Sequence, residues 1–341
     1  MPTTSEWDKW YRMASRPQEH ILDDLSTKSK ILGINVSGMK IIAAYGDMNG
    51  LIYERVQVET PAGISFLEGF DLICDQADKL LKLCRAQGLS SPEVISLAVS
   101  GPVDLWRGIM MSPPDLPGWD EAPLRGRLGV RYNLPVFIEQ RSNAAALAEM
   151  YFGAGTGVKD QIFLDLEPVV TVGILQGGSV YHGSNDAAGE IGRMRMAEGG
   201  PAGLGEPGSL TGFASGLGMA ELASIRFPTL WPTPPNPYAL VKAVNDGQQE
   251  ALRVVEEAAD HLGKALLWLI FTLDPEMVVF GHPGDVLGEA LLNPLRDAVL
   301  RYGGAEARLL PRLALSKLAA RLNDTAALMA VIDPFKNRRQ D

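Results

Sequence analysis

The side chains best equipped for chemistry in this 341-residue chain are few and scattered. Four histidines and two cysteines give no zinc spacing anywhere, since a structural zinc wants four nitrogen or sulfur ligands in close register. Cys74 and Cys84 fall in one stretch of helical periodicity, where the rise per residue holds them too far apart for a disulfide. They read as buried thiols of a reducing compartment. Arg141 and Arg193 carry planar guanidinium forks, which suit carboxylate or phosphate oxygens and cannot take a proton at physiological pH. Glu139 and Glu190 lie close to them in sequence and could equally neutralise them. Gly33, Gly38, Gly101 and Gly189 read first as turn chemistry, and His282 as a surface or satisfied histidine.

Composition bounds what these residues can serve. Hydrophobic residues make up 46% and charged residues 21%, an ordinary globular balance for a chain long enough for two lobes. A net charge of -10 argues against a general nucleic-acid surface, which needs clustered Lys and Arg. The longest apolar run, Ala265 to Leu273, is far short of the ~20 residues that span a bilayer. Residues 1–30 hold no apolar core of signal-peptide length, so the expected place is the cytoplasm, with no membrane partner.

The elements that must position the site follow from periodicity. Residues 1–29 read as a polar extension containing Trp7, Trp10 and Tyr11. Lys30–Val36, Met39–Tyr45 and Leu51–Val58 alternate as three strands separated by turn signals. An amphipathic helix over Phe66–Ala86 and a buried strand over Val94–Val99 follow. Pro135–Ile138 predicts another strand, running into a helix over Asn143–Phe152. A second meander is predicted at Gln161–Leu166, Val169–Leu175 and Ser179–Tyr181. Trp231–Pro237 reads as a surface loop, Gln248–Leu273 as a long helix and Met277–Phe280 as a strand. Two helices, near Asp285–Tyr302 and Asp324–Ile332, close the chain.

Five segments together resemble the repressor–ORF–kinase (ROK) family of sugar kinases and sugar-sensing repressors. They are Leu32-Gly33-Ile34-Asn35-Val36-Ser37-Gly38, Val99-Ser100-Gly101-Pro102-Val103-Asp104, Asn143-Ala144-Ala145-Ala146-Leu147-Ala148-Glu149, Gly189-Glu190-Ile191-Gly192 and Asp274-Pro275-Glu276-Met277-Val278-Val279-Phe280-Gly281. They occur in family order and spacing over about residues 30–333. The resemblance implies an α/β fold of two actin/hexokinase-type lobes, ribonuclease H-like, each built on a duplicated β-meander-plus-helix unit. It places a smaller lobe at 30–140, with a C-terminal helix at about 323–335 packing back on it, and a larger lobe at 141–322. It also suggests a homodimer through the larger lobe.

The departures from the family pattern set the functional expectation. The family's first phosphate loop resembles Asp-x-Gly-Gly-Thr; here it is Asn35-Val36-Ser37-Gly38-Met39. The second resembles Gly-Thr-Gly-Ile-Gly; here it is Glu167-Pro168-Val169-Val170-Thr171, where Pro168 has no N–H and Glu167 brings a negative charge against phosphate. Arg141 stands at the general-base Asp of the family kinases. At the zinc site Arg193 replaces His, and Gly203–Ser209 holds no Cys. The sugar pocket implied by the family comprises Gly101, Gln140, Arg141, Glu190, Arg193 and Thr211. The expectation is therefore a pseudokinase with no cofactor and no metal, binding a small, sugar-like and possibly anionic ligand or a protein partner. The alternatives are a kinase with rearranged chemistry, which would need ATP and magnesium, and a ROK-type regulator without its DNA-binding module.

Overall fold

The computed structural model describes residues 19–304 and 310–337, so Trp7, Trp10 and Tyr11 lie outside the described residues. In chain order the elements begin with α1 (Glu19–Asp24), β1 (Lys30–Val36), β2 (Lys40–Asp47), β3 (Ile52–Glu59), α2 (Phe66–Ala86) and β4 (Val94–Val99). A short hairpin of β5 (Val103–Asp104) and β6 (Ile109–Met110) leads to α3 (Leu124–Tyr132), β7 (Val136–Gln140) and α4 (Arg141–Phe152). Then come β8 (Gln161–Asp165), β9 (Thr171–Gln176), β10 (Ser179–Val180), α5 (Leu210–Ala214), α6 (Gly216–Arg226), α7 (Pro237–Asn245) and α8 (Gln249–Leu273). The chain continues through β11 (Met277–Phe280), α9 (Gly284–Leu287), α10 (Glu289–Gly303), β12 (Arg312–Leu315), α11 (Leu322–Ala326) and α12 (Met329–Asn337).

These elements form two compact units. Among the described residues, unit 1 takes those up to Ala148, the excursion His182–Ala187 and those from Ala320; unit 2 takes those within Glu149–Tyr181 and Ala188–Ala319. Unit 1 is built on a five-stranded sheet in the order β3-β2-β1-β4-β7. β1, β2 and β3 form the antiparallel meander, while β1, β4 and β7 run parallel. β4 is buried at every position, because α2 and α12 belong to the layers around this sheet and leave no solvated face; its sequence VISLAV is accordingly almost all apolar. β3, at the edge, alternates half-buried and exposed residues, with Arg55 and Glu59 on the exposed face. Trp119 closes the core beside α2, donating its indole N–H to the Ile64 carbonyl at 3.0 Å.

Unit 2 repeats the scheme with a sheet in the order β10-β9-β8-β11-β12. Its meander is β8, β9 and β10, and β8, β11 and β12 run parallel. The long helix α8 buries a stripe from Ala251 to Ile270 in this core and packs against α10. The same strand arrangement in both units bears out the expected duplication.

Candidate functional site

In unit 1 the parallel strands β1, β4 and β7 all deliver their carboxyl ends to one edge of the sheet, the side where open α/β sheets bind ligands. The residues that follow those ends are Ser37-Gly38-Met39, Ser100-Gly101-Pro102 and Arg141. Each carries part of the resemblance described above, so the fold brings Asn35, Ser37, Gly38, Met39, Gly101, Gln140 and Arg141 to one sheet edge.

Asn35 is 3% exposed and its side-chain amide donates to the Asn323 carbonyl at 3.1 Å. A carboxylate at that position would set acceptor against acceptor, so this packing asks for the amide. Ser37 stays within the turn, where its hydroxyl accepts the Lys40 N–H at 3.2 Å. Met39 is exposed. The Gly38 N–H, a donor that the family resemblance would aim at phosphate, is taken by Asp115 Oδ2 at 2.7 Å. A Cβ on Gly38 would lie 2.1 Å from the Asp115 carbonyl oxygen, so only glycine permits this approach. The Ser100 hydroxyl donates to the same Asp115 oxygen at 2.7 Å.

Gln140 packs directly on Gly101, where an added Cβ would stand 2.4 Å from the side-chain amide. Arg141 opens α4, two residues earlier than periodicity predicts, and its Nη2 reaches Asn323 Oδ1 at 3.5 Å. The start of α11 is thus a knot for this edge: Asn323 meets Asn35 and Arg141, and the buried Asp324 pairs with Arg55 at 3.1 Å. Burial raises the Asp324 carboxyl above its ordinary range, against the opposing pull of Arg55 and Lys40.

One pair at this edge escaped the sequence reading. Glu139 Oε2 meets His182 Nε2 at 2.8 Å, while Oε1 accepts the Gln140 N–H at 2.8 Å and the Asn143 amide at 2.9 Å. Burial alone would lower the His182 pKa, but the hydrogen bond and charge of Glu139, helped by Asp186 and Asp333, raise it. Nothing in the sequence joins positions 139 and 182, which lie on opposite sides of the β8–β10 meander. Asp115 also went unnoticed, although an acid set in Pro113-Pro114-Asp115-Leu116-Pro117-Gly118 is the kind of loop residue that sites recruit.

Unit 2 holds the second loop. The Val170 N–H donates to Thr211 Oγ1 at 3.2 Å, and Thr211 is 3% exposed, so this hydroxyl braces the loop. The Glu167 carboxylate lies against Gly216, the first residue of α6: a Cβ there would stand 2.6 Å from Oε1. A negative charge is well placed beside a helix N-terminus, which is where phosphates also bind. His282 stands 3.8 Å from Glu167 and 3.0 Å from Asp285, a histidine satisfied by carboxylates. Glu190 is largely buried and pairs with the half-exposed Arg193 at 3.3 Å. The loop over residues 199–211 is held by turns and by Glu221, whose carboxylate accepts the N–H groups of Ala202 and Gly203 at 2.8 and 3.1 Å. Among the described residues no group of three His, Cys, Asp or Glu could hold a metal ion. Among them, too, no helix is long and apolar enough to cross a membrane.

Comparison with known proteins shows the family and the fold. The sequence model of the family described as "ROK family" matches residues 31–330. A glucokinase of Halalkalibacterium halodurans is 30% identical over 301 residues, covering 83% of this chain and 87% of that protein. A xylose repressor of Caldicellulosiruptor bescii is 27% identical over 216 residues, covering 60% of this chain and 54% of the repressor. Among solved structures, a ROK family glucokinase from Streptomyces griseus in complex with glucose and AMPPNP superposes with a TM-score of 0.77 at 26% identity, covering 88% of this chain and 98% of that one.

Proposed function

The chain belongs to the ROK family, and from that premise we propose that it is a sugar-kinase-fold protein that no longer transfers phosphate and acts by binding a small sugar-like ligand or a protein partner. The observation that carries the reading is the head of α4. Arg141 stands where the resemblance puts the general base, and the first turn of the helix has no acidic residue. A guanidinium cannot accept the sugar hydroxyl's proton, and such help is typically worth 10²–10⁴-fold. His182 is no ready substitute: Glu139 holds its Nε2 and favours the protonated ring.

The residues present do not fit ATP with magnesium. In unit 1 the Asn35 amide is bound to a carbonyl and the Gly38 N–H to a carboxylate. In unit 2 Pro168 has no N–H, and Glu167 brings its own charge to the start of α6. A coupled ADP-release assay with glucose, mannose and N-acetylated hexosamines is expected to match a no-protein blank. Turnover above about 1 s⁻¹, abolished by changes at Arg141 or Glu167, would overturn the reading.

The ligand is read as anionic because Arg141 offers planar donors at the sheet edge, and charge-assisted bonds are roughly twice as strong as neutral ones. Both guanidinium groups already have partners, Glu190 for Arg193 and Asn323 for Arg141, and a ligand would compete with them. The assembly is read as a homodimer through unit 2. There Trp268 and Phe271 of α8 are 70% and 60% exposed and join Leu267, Lys264 and Tyr302 around a surface groove. Its rim carries both signs, Asp260 with Lys264 and Arg301, which is compatible with the self-complementarity of a two-fold contact between identical patches.

A further inference from the structure

We propose that Trp106 is a stacking platform at the rim of the unit 1 sheet edge, and that it fits this edge to a ligand longer than one sugar ring: a disaccharide or larger glycan whose outer ring lies on the indole. The proposal rests on the sugar-binding role given above to the same edge.

Trp106 is 79% exposed, more than any other large apolar side chain among the described residues. The backbone around it is tied down. The buried Arg125 donates from Nη1 to the Leu105 carbonyl at 2.8 Å and from Nη2 to the Trp106 carbonyl. The Leu105 N–H donates to Asp186 Oδ2 at 2.9 Å, and the Arg107 N–H to Asp104 Oδ1 at 2.7 Å. Gly108, at φ +67°, lets the guanidinium lie against the turn, since a Cβ there would stand 2.3 Å from Arg125 Nε. Burying a guanidinium is costly, and burial lowers the pKa of this one. The result is an ordered turn whose largest side chain is in solvent, and a platform already ordered loses little entropy when a ligand arrives.

The turn belongs to the ligand edge. β5 begins two residues after Gly101, and Asp186, which holds Leu105, lies in the excursion whose His182 holds Glu139 of β7. Trp106 is five residues beyond Gly101. Such a stretch reaches at most about 17 Å, a span suited to a second ring joined to one bound at the edge. The size of the platform decides what can cover it. One indole offers roughly 200 Å², whereas a protein partner takes about 800 Å² from each side. Among the described residues from 101 to 129 no other large apolar side chain is exposed to extend the patch. A single pyranose ring matches it: the C–H face lies on the indole, and the hydroxyls meet water and the ion-paired Asp104 and Arg107 of the same turn.

Isothermal titration with matched probes isolates the second ring. Glucose is compared with maltose and trehalose, and glucose 6-phosphate with maltose 6′-phosphate and trehalose 6-phosphate, so that the first ring is tried neutral and anionic. In the unaltered protein at least one disaccharide is expected to bind roughly tenfold or more tightly than its one-ring counterpart, and to change the tryptophan emission. Trp106→Ala, at an exposed position outside the core, is expected to bind the one-ring probes as the parent does and to lose both the gain and the emission change. Trp106→Tyr should keep part of the gain. If no disaccharide binds more tightly than its one-ring counterpart, or if the gain survives Trp106→Ala, the platform is overturned and the sugar-binding reading stands. Failure of all six probes to bind would remove the sugar-binding reading and this proposal with it.

Discussion

Asn35 shows how a side chain can keep its place in a fold while its chemistry changes hands. Its amide donates to the Asn323 carbonyl from a position 3% exposed, so Asn35→Asp would put a carboxylate against an acceptor. That variant restores the family's residue, yet it is expected to lose about 1–3 kcal/mol in a urea melt and to gain no turnover. A variant as stable as the parent would show that the amide hydrogen bond contributes nothing. The His182–Glu139 pair carries a pH dependence of fixed sign. The folded pKa of His182 is raised above its ordinary value of 6.5. Its contribution is therefore full below the unfolded value and is lost as pH rises through the folded one. Melting temperatures from about pH 6 to 9 should show this loss in the parent and not in Glu139→Gln; equal slopes in both proteins would refute the coupling. At this scale the sequence was legible where a motif names a position, as with Asn35, Arg141 and Glu167. Asp115 and His182 were not, because a carboxylate folded back onto the Gly38 turn and an imidazole meeting Glu139 from across a meander leave no local spacing to read.

At the scale of elements, legibility followed burial and length. α2, β4 and β11 match their predicted limits end to end, since each is a periodic or continuous apolar stretch bounded by polar or turn residues. The β5–β6 hairpin, α3 and β12 were missed: two-residue strands and a helix of low apolar content owe their form to neighbours, not to pattern. α4 begins at Arg141 and not at Asn143, because Glu139 binds Gln140 and Asn143 and so secures the first turn. Glu149 works similarly at the other end of α4. Fully buried, it accepts the Ser316 hydroxyl and the N–H groups of Ala154 and Leu318, the latter at 3.2 Å. Glu149→Gln replaces one acceptor by an NH₂ facing donors, and is expected to cost about 1–3 kcal/mol of stability. Denaturant titration checks this, and an unchanged midpoint would show that the helix end is held by something else.

For the whole molecule, charge and exposed apolar surface pull in different directions. A net charge of -10 favours a dispersed protein, yet α8 and α10 of unit 2 leave Trp268, Phe271, Leu300 and Tyr302 in solvent. Large aromatic side chains gathered around a groove are what an interface core uses, while a lone exposed Leu elsewhere needs no explanation. The long helix already buries its inward stripe without Trp268 and Phe271, while Tyr302 ties α10 to α8 by donating to Asp260 at 2.8 Å. Asp260 lies between Lys264 at 2.8 Å and Arg301 at 3.0 Å, so a two-fold related copy can exchange these partners without leaving a like-charge pair. Light scattering coupled to gel filtration should therefore give about twice the 36.8 kDa chain mass. Trp268→Glu should give the single-chain mass with an unchanged far-ultraviolet spectrum, because a charge at the centre of an apolar contact is costly to bury. A parent that elutes at the single-chain mass, or a Trp268→Glu variant that stays paired, would rule this face out as the contact.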